Sequence, residues 1–266
     1  MSIFKRKNKK ELSNDAMTNG VMLITEVEPK DVVSEQFRTI RTNVEFSAVD
    51  QQYKTLIFTS SGASEGKSTV SANTAVTWAQ QGKKVLFIDA DLRLPTLHST
   101  FGVSNTLGLT NVLTNSDIDY HSAIQTTRVE NLSILTSGPV PPNPSELLNS
   151  DRMKKYIEAL KKEYDLIIFD VPPMLQVTDT QIMAAYVDGV ILVVRQGVTQ
   201  QKAVSRSIEL LEMVHAHLLG YVMNDVASRN GYGYGYGYGY GDTKQSSRIV
   251  ANVFVISKFK HIKVVS

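Results

Sequence analysis

From residue 55 onward, short runs that are apolar throughout alternate with stretches whose apolar residues return every three or four positions. The first kind reads as buried strands at 56–59, 85–89, 132–135, 166–170, 190–194 and 219–224. The second predicts helices at 67–81, 145–162, 179–186 and 200–215, with a shorter helical region near 109–113. Strands without a polar face, separated by helices, indicate an α/β fold: a mainly parallel sheet covered by helices on both faces. Ahead of this alternation, residues 32–49 form an amphipathic helix with Val33, Phe37, Ile40 and Val44 on one stripe. A Pro-rich loop at 138–144 precedes a helix that Ser145 is placed to cap.

This pattern divides the chain into a polar, basic leader (1–30), one α/β domain (31–228), a Gly/Tyr-rich segment (229–247) and an apolar, basic extension (248–266). The segment GYGYGYGYGYG at 231–241 holds Tyr232, Tyr234, Tyr236, Tyr238 and Tyr240, five of the eleven tyrosines. Its glycines disfavour helix and strand alike, which predicts a solvated, mobile tail with accessible phenols open to phosphorylation. The extension, with Ile249 to Ile256 followed by Lys258, Lys260 and Lys263, could be an extra strand, a β-prone sticky segment or a membrane-surface contact.

Composition narrows the chemistry. With no cysteine there is no disulfide framework, no thiolate metal site and no thiol nucleophile. A net charge of +2 gives no reason to expect nucleic acid, although Lys5, Arg6, Lys7, Lys9 and Lys10 make a local basic cluster. No apolar stretch approaches the roughly 20 residues that cross a bilayer, so the chain is expected to be soluble unless a partner holds it at a membrane.

The strand at 56–59 runs into Thr59-Ser-Ser-Gly-Ala-Ser-Glu-Gly-Lys-Ser-Thr69 and then a helix, the setting of a phosphate-binding P-loop. Ser61, Gly62, Ala63, Ser64, Glu65, Gly66, Lys67, Ser68 and Thr69 are its candidate ATP-binding residues. Gly62 and Gly66 let backbone N–H groups turn inward, and the helix N-terminus adds its positive dipole end. Lys67 would neutralise the β and γ phosphates and the Ser68 hydroxyl would bind Mg²⁺. The usual G-x-x-x-x-G-K-[ST] spacing puts Ser61 rather than glycine first, so the motif is a relaxed one.

Two further strand ends carry carboxylates. Val85-Leu-Phe-Ile-Asp-Ala-Asp-Leu-Arg93 ends in Asp89 and Asp91, able between them to hold Mg²⁺ and to accept a proton from an attacking hydroxyl. Leu166-Ile-Ile-Phe-Asp170 is a Walker B pattern whose carboxylate supports the metal.

Together with Glu35-Gln-Phe-Arg38-Thr-Ile-Arg41, these motifs resemble the bacterial tyrosine kinases of capsule and exopolysaccharide synthesis, in their separate cytoplasmic form. The resemblance covers nearly all of 30–241. It implies ATP and Mg²⁺ as cofactors, with catalytic roles for Lys67, Asp89, Asp91 and Asp170 and metal contacts from Ser68, Asp89 and Asp170. Which of Asp89 and Asp91 is the base stays open. It also implies a head-to-tail ring of subunits through Glu35, Arg38 and Arg41, which at 100° per residue form a polar stripe apart from the apolar one. Tyr232 to Tyr240 would then be phosphorylated in trans. Further implied partners are a membrane-embedded activator with a cytoplasmic tail, protein tyrosine substrates and a tyrosine phosphatase, with the chain peripheral to the inner face of the membrane. Asn224 sits where related ATPases contact adenine. The competing reading is a positioning or partitioning P-loop ATPase that switches dimerisation. It leaves the tyrosine repeat unexplained, and the lysine such ATPases carry near the start of the P-loop is missing at 60–64.

Overall fold

The computed structural model describes residues 17–48, 52–225 and the backbone of 252–254. The basic cluster and the tyrosine repeat lie outside the described residues.

Six strands form the parallel body of the sheet: β1 (Thr55–Ser60), β2 (Val85–Asp89), β4 (Leu132–Leu135), β5 (Leu166–Asp170), β6 (Gly189–Arg195) and β7 (Leu218–Asn224). β3 (Ile124–Thr126) and β8 (Asn252–Phe254) add antiparallel edges, giving the order β3-β4-β2-β5-β1-β6-β7-β8. β1, β2 and β5 are buried along their whole length, as their unbroken apolar runs require. β3 has no signature in the local pattern because it is three half-exposed residues, whereas the extension does supply an edge strand, one of the three roles open to it.

Helices cover both faces. α1 (Ile24–Val27), α2 (Val32–Ser47) and α3 (Lys67–Gln80) lie over one core that includes Phe37, Phe58, Trp78 and Phe87. The other core, with Leu86, Phe169 and Met183, is covered by α5 (Leu109–Thr114), α6 (Pro144–Leu148), α7 (Asp151–Leu160), α8 (Asp179–Ala184) and α9 (Gln201–Met213). A further helix, α4 (Leu97–Phe101), comes after β2 and is too short for its periodicity to be seen in the sequence.

The apolar stripe of α2 is confirmed: Val33, Phe37, Ile40 and Val44 are its buried apolar residues, and Asp31 caps it by accepting from the Val33 amide at 2.7 Å. Truncating Phe37, which is fully buried, to alanine is expected to cost about 3–5 kcal/mol. Urea unfolding would check this, and a loss below about 1 kcal/mol would show α2 to be weakly docked.

Two boundaries differ from expectation. The leader does not remain separate as far as residue 30. Leu23 and Thr25 are buried, and Thr25 bonds Asn73 of α3 through both its amide and its hydroxyl, a long-range pairing that local pattern cannot show. The helix expected at 145–162 is two helices: Ser150 caps α7 by accepting from the Met153 amide, and Pro144 opens α6. Ser145 therefore caps nothing, and its hydroxyl instead donates to Asp179 at 2.5 Å.

One joint ties α2 to α3. The indole N–H of Trp78 donates to Glu45 at 3.0 Å, Lys83 pairs with the same carboxylate at 3.1 Å, and Arg41 donates to the Thr77 carbonyl at 2.9 Å.

Candidate active site

β1, β2, β5, β6 and β7 all end on one rim, as parallel strands must, and the P-loop, Asp89, Asp170, Arg195 and Asn224 stand there. This is the rim at which open α/β sheets bind their ligands. Asp89 and Asp170 are register partners on neighbouring strands, so their backbones lie side by side.

Local geometry accounts for the P-loop composition. Gly66 has φ +94°, and a Cβ there would lie 2.0 Å from the Asn224 amide nitrogen, so neither conformation nor space admits a side chain. Ser64 also takes a positive φ, +62°. Glu65 is buried and accepts from the Ser61 amide at 3.0 Å, which fixes the loop across its own width. Ser61 is buried as well, with its hydroxyl bonded by Ser207 at 3.0 Å.

Lys67 is the electrostatic centre. Its ammonium lies 3.3 Å from Asp91, 3.3 Å from both oxygens of Asp170 and 3.2 Å from the Ser68 hydroxyl, which itself donates to Asp170 at 2.7 Å. Burial pulls the lysine pKa down, but the charges of Asp170, Asp91 and Asp89 outweigh it and hold the group protonated, well above its ordinary value. Asp170 is raised by burial, an effect that Lys67 and the Ser68 bond only partly offset. Asp89 is pushed up to about 8, by burial first and then by the charge of Asp170.

The two aspartates of the D-A-D motif differ in setting. One oxygen of Asp89 accepts from the amides of Thr96 and Leu97, both at 3.0 Å, at the start of α4; its other oxygen is buried without a partner. Asp91 instead lines a cavity of about 350 Å³ that also touches Ala63, Ser64, Gly66, Lys67, Ser68 and Thr69. It accepts from the Leu94 amide at 3.1 Å through one oxygen and faces Lys67 through the other.

Asn224 lines the same cavity. Its amide nitrogen donates to the Glu65 carbonyl at 3.0 Å, and its carbonyl oxygen is buried and unpartnered, an acceptor suited to an amino group such as that of adenine. Among the described residues no three His, Cys, Asp or Glu side chains make a self-sufficient metal cage. Mg²⁺ at a nucleotide needs none, since phosphates and water complete its shell. The Ser68 hydroxyl, the free oxygen of Asp89 and Asp170 are the oxygen donors on hand.

The site also holds residues that motif reading passed over. Arg195, at the end of β6, donates to the Ser64 carbonyl at 2.9 Å and pairs with Asp225 at 2.9 Å, clamping the P-loop from the far side. Buried Asp179 pairs with Arg93 at 2.8 Å, joining the D-A-D turn to α8. Neither pairing has a sequence spacing that announces it.

Of the three residues expected to form a subunit contact, Glu35 is exposed and pairs with Arg38, which also donates to the Pro29 carbonyl at 2.6 Å. Arg41 is half-buried and turned toward Thr77, so it serves the α2–α3 joint within the protomer. The three do not form one uniformly exposed stripe.

A family model described as an AAA domain matches residues 53–222. The tyrosine-protein kinase YwqD of Bacillus subtilis (strain 168) is 48% identical over 208 residues, covering 78% of this chain and 86% of that protein. The chain is a bacterial tyrosine-protein kinase. The solved kinase domain of the Escherichia coli tyrosine kinase ETK shares the fold of this kinase with a TM-score of 0.75 at 34% identity, over 90% of this chain and 89% of that one. The chimerical protein CapA2B2 matches with a TM-score of 0.73 at 36% identity, over 81% and 98%. These likenesses confirm the P-loop, mainly parallel α/β fold and the kinase activity of this protein. Among the described residues no helix is long and apolar enough to cross a membrane.

Proposed function

We propose that this kinase transfers the γ-phosphoryl group of ATP, with Mg²⁺, to Tyr232, Tyr234, Tyr236, Tyr238 and Tyr240 of a neighbouring copy, and that Asp91 is the base. One observation carries the assignment of the base: Asp91 lines the cavity, 3.3 Å from Lys67, whereas Asp89 is fully buried and does not line it.

Asp91 takes the phenolic proton as the phenol oxygen bonds to the γ-phosphorus and the bond to the departing ADP oxygen breaks. Lys67 has its charge secured by three carboxylates and is positioned to follow the transferred group. Ser68, Asp170 and the free oxygen of Asp89 would hold Mg²⁺, which when bound would compensate the charge of the phosphates. The loop amides from Ser61 to Thr69 bind the phosphates, and the orphan carbonyl of Asn224 receives the adenine amino group.

A ring of subunits would present each tyrosine repeat to the next active site at high effective concentration. Five phosphates add roughly −8 to −10 charges to each tail, and repulsion between tails would open the ring. The resemblance further supports a membrane-embedded activator with a cytoplasmic segment, a tyrosine phosphatase as antagonist, other protein tyrosine substrates, and control of capsule or exopolysaccharide synthesis at the inner face of the membrane.

The test is incubation with Mg²⁺ and labelled ATP, with and without the activator's cytoplasmic segment, followed by mass-spectrometric mapping. Label on Tyr232 to Tyr240 that falls at least about 100-fold in Asp91→Asn, with ATP binding retained, is the expected result. Label that survives in Asp91→Asn would move the base to another group. ATP binding without label on Tyr232 to Tyr240 under any condition would reject the tail as the acceptor.

A further inference from the structure

Beyond the nucleotide, the same cavity has an apolar side that the phosphate-binding residues do not explain. Met17, Val21 and Leu94 line it there, beside Asp91. Leu94 follows Asp91 by three residues, its amide bonds the Asp91 carboxylate at 3.1 Å, and its side chain is 46% exposed. Leu94 does not stand alone there: half-buried Met17 and Val21 line the same cavity, so the three make a grouped apolar surface rather than a scattered exposed residue.

The segment bearing Met17 and Val21 is built into this position. The Ser99 hydroxyl donates to the Met17 carbonyl at 2.7 Å, and the Val21 amide donates to the Thr100 hydroxyl at 3.1 Å. Between them Gly20 has φ +69°, and a Cβ there would lie 2.5 Å from the Thr100 backbone. Only glycine lets the segment lie this close against α4. Two hydrogen bonds and one close backbone approach thus hold two apolar side chains at the rim.

Asn224, the proposed adenine contact, and the P-loop clamp Arg195 belong to the other side of the cavity. Asn224 and Arg195 reach the P-loop from β7 and β6, whereas Leu94 and α4 follow β2. β5 and β1 separate β2 from β6, three strand spacings or about 14 Å. A nucleotide with its base against Asn224 and its phosphates over the P-loop would direct its γ end toward Asp91 and would leave the apolar side open.

We infer that Met17, Val21 and Leu94 form a ledge that receives the aromatic ring of the substrate tyrosine and sets its hydroxyl against Asp91. The occupant is a phenol ring from a glycine-flanked tyrosine, the kind that residues 231–241 of a second copy provide. A flanking glycine has no Cβ to strike the rim, so the ring can enter to its full depth. The inference rests on the tyrosine kinase reading and adds the acceptor site to it.

Two arms test it with the full-length protein. In steady-state kinetics with a synthetic 228–244 peptide, Leu94→Ser and Val21→Ser are each expected to raise the peptide KM about tenfold or more while the ATP KM stays within about twofold. Leu94→Met is expected to restore the peptide KM. An unchanged peptide KM, or an ATP KM that rises in step, overturns the ledge. In the second arm the peptide carries p-benzoylphenylalanine in place of Tyr236 and is photolysed with the kinase, Mg²⁺ and a non-hydrolysable ATP analogue. Crosslinks at residues 17–21 and 94 support the ledge, and crosslinks confined elsewhere overturn it. This arm needs no phosphoryl transfer. Crosslinking at the ledge with no label on Tyr232 to Tyr240 would therefore reject the tail as a natural substrate while leaving the acceptor site in place.

Discussion

Replacing Lys67 with methionine is expected to lower tyrosine phosphorylation at least about 100- to 1,000-fold, the scale on which removing one preorganised donor to a charged transition state acts. The side chain is only 12% exposed, and it touches two carboxylates and the Ser68 hydroxyl at 3.2–3.3 Å. Methionine keeps the length and removes the charge, leaving Asp89, Asp91 and Asp170 with no cation among them. Breaking a buried ion pair from one side costs about 3–5 kcal/mol, so the variant will also melt earlier without Mg²⁺. Phosphate mapping with thermal melting in Mg²⁺ and in EDTA separates the two effects. Full activity would show that the transferred charge is stabilised elsewhere, and an unchanged melting point in EDTA would show that the carboxylates do not feel the lysine.

Asp89→Asn is expected to move stability and activity in opposite directions. The Asp89 carboxyl titrates near 8 in the fold and near the ordinary value of about 3.9 in the unfolded chain. Across that window the folded protein holds a proton that the unfolded chain has released, so stability falls as pH rises from about 4 to about 8. With metal removed by EDTA, the melting temperature should therefore drop between pH 5 and pH 8. The asparagine variant loses this contribution and should lie on the order of 5–10 °C above the unmodified kinase at pH 8. Mg²⁺ with ATP should narrow that gap by stabilising the ionised carboxylate, while the variant loses most of its Mg²⁺-dependent turnover. Melting curves with parallel pH dependence for the two proteins would contradict this account of Asp89.

How much of the molecule is legible in its sequence depends on the range of each interaction. The parallel strands announce themselves because burial on both faces leaves no polar position to break the run, as in the fully buried β1, β2 and β5. Lys67, Ser68, Asp89, Asp91 and Asp170 stand out because strand ends and loops carry them at fixed offsets, and the fold gathers all five into one cluster. Ser145 misleads because a serine before a helical pattern resembles a cap, while its real partner, Asp179, is 34 residues away. Arg195 and Ser64 meet across 131 residues, and Thr25 and Asn73 across 48. Such pairs depend on which strands become neighbours, and no local window contains that order. Arg41 is the intermediate case: helical spacing places it correctly on α2, but its direction depends on α3, which supplies the Thr77 carbonyl.

The joint between α2 and α3 makes the molecule its own optical probe. Trp78 is the single tryptophan of the chain, it is 1% exposed, and its indole N–H is bonded to Glu45 of α2 while its own helix begins at Lys67. Its emission therefore comes from one place, with a charged acceptor on one side and the P-loop helix as its backbone. Any rearrangement that shifts α2, the helix carrying Glu35, Arg38 and Arg41, against the nucleotide-binding helix will change that emission in the unlabelled protein.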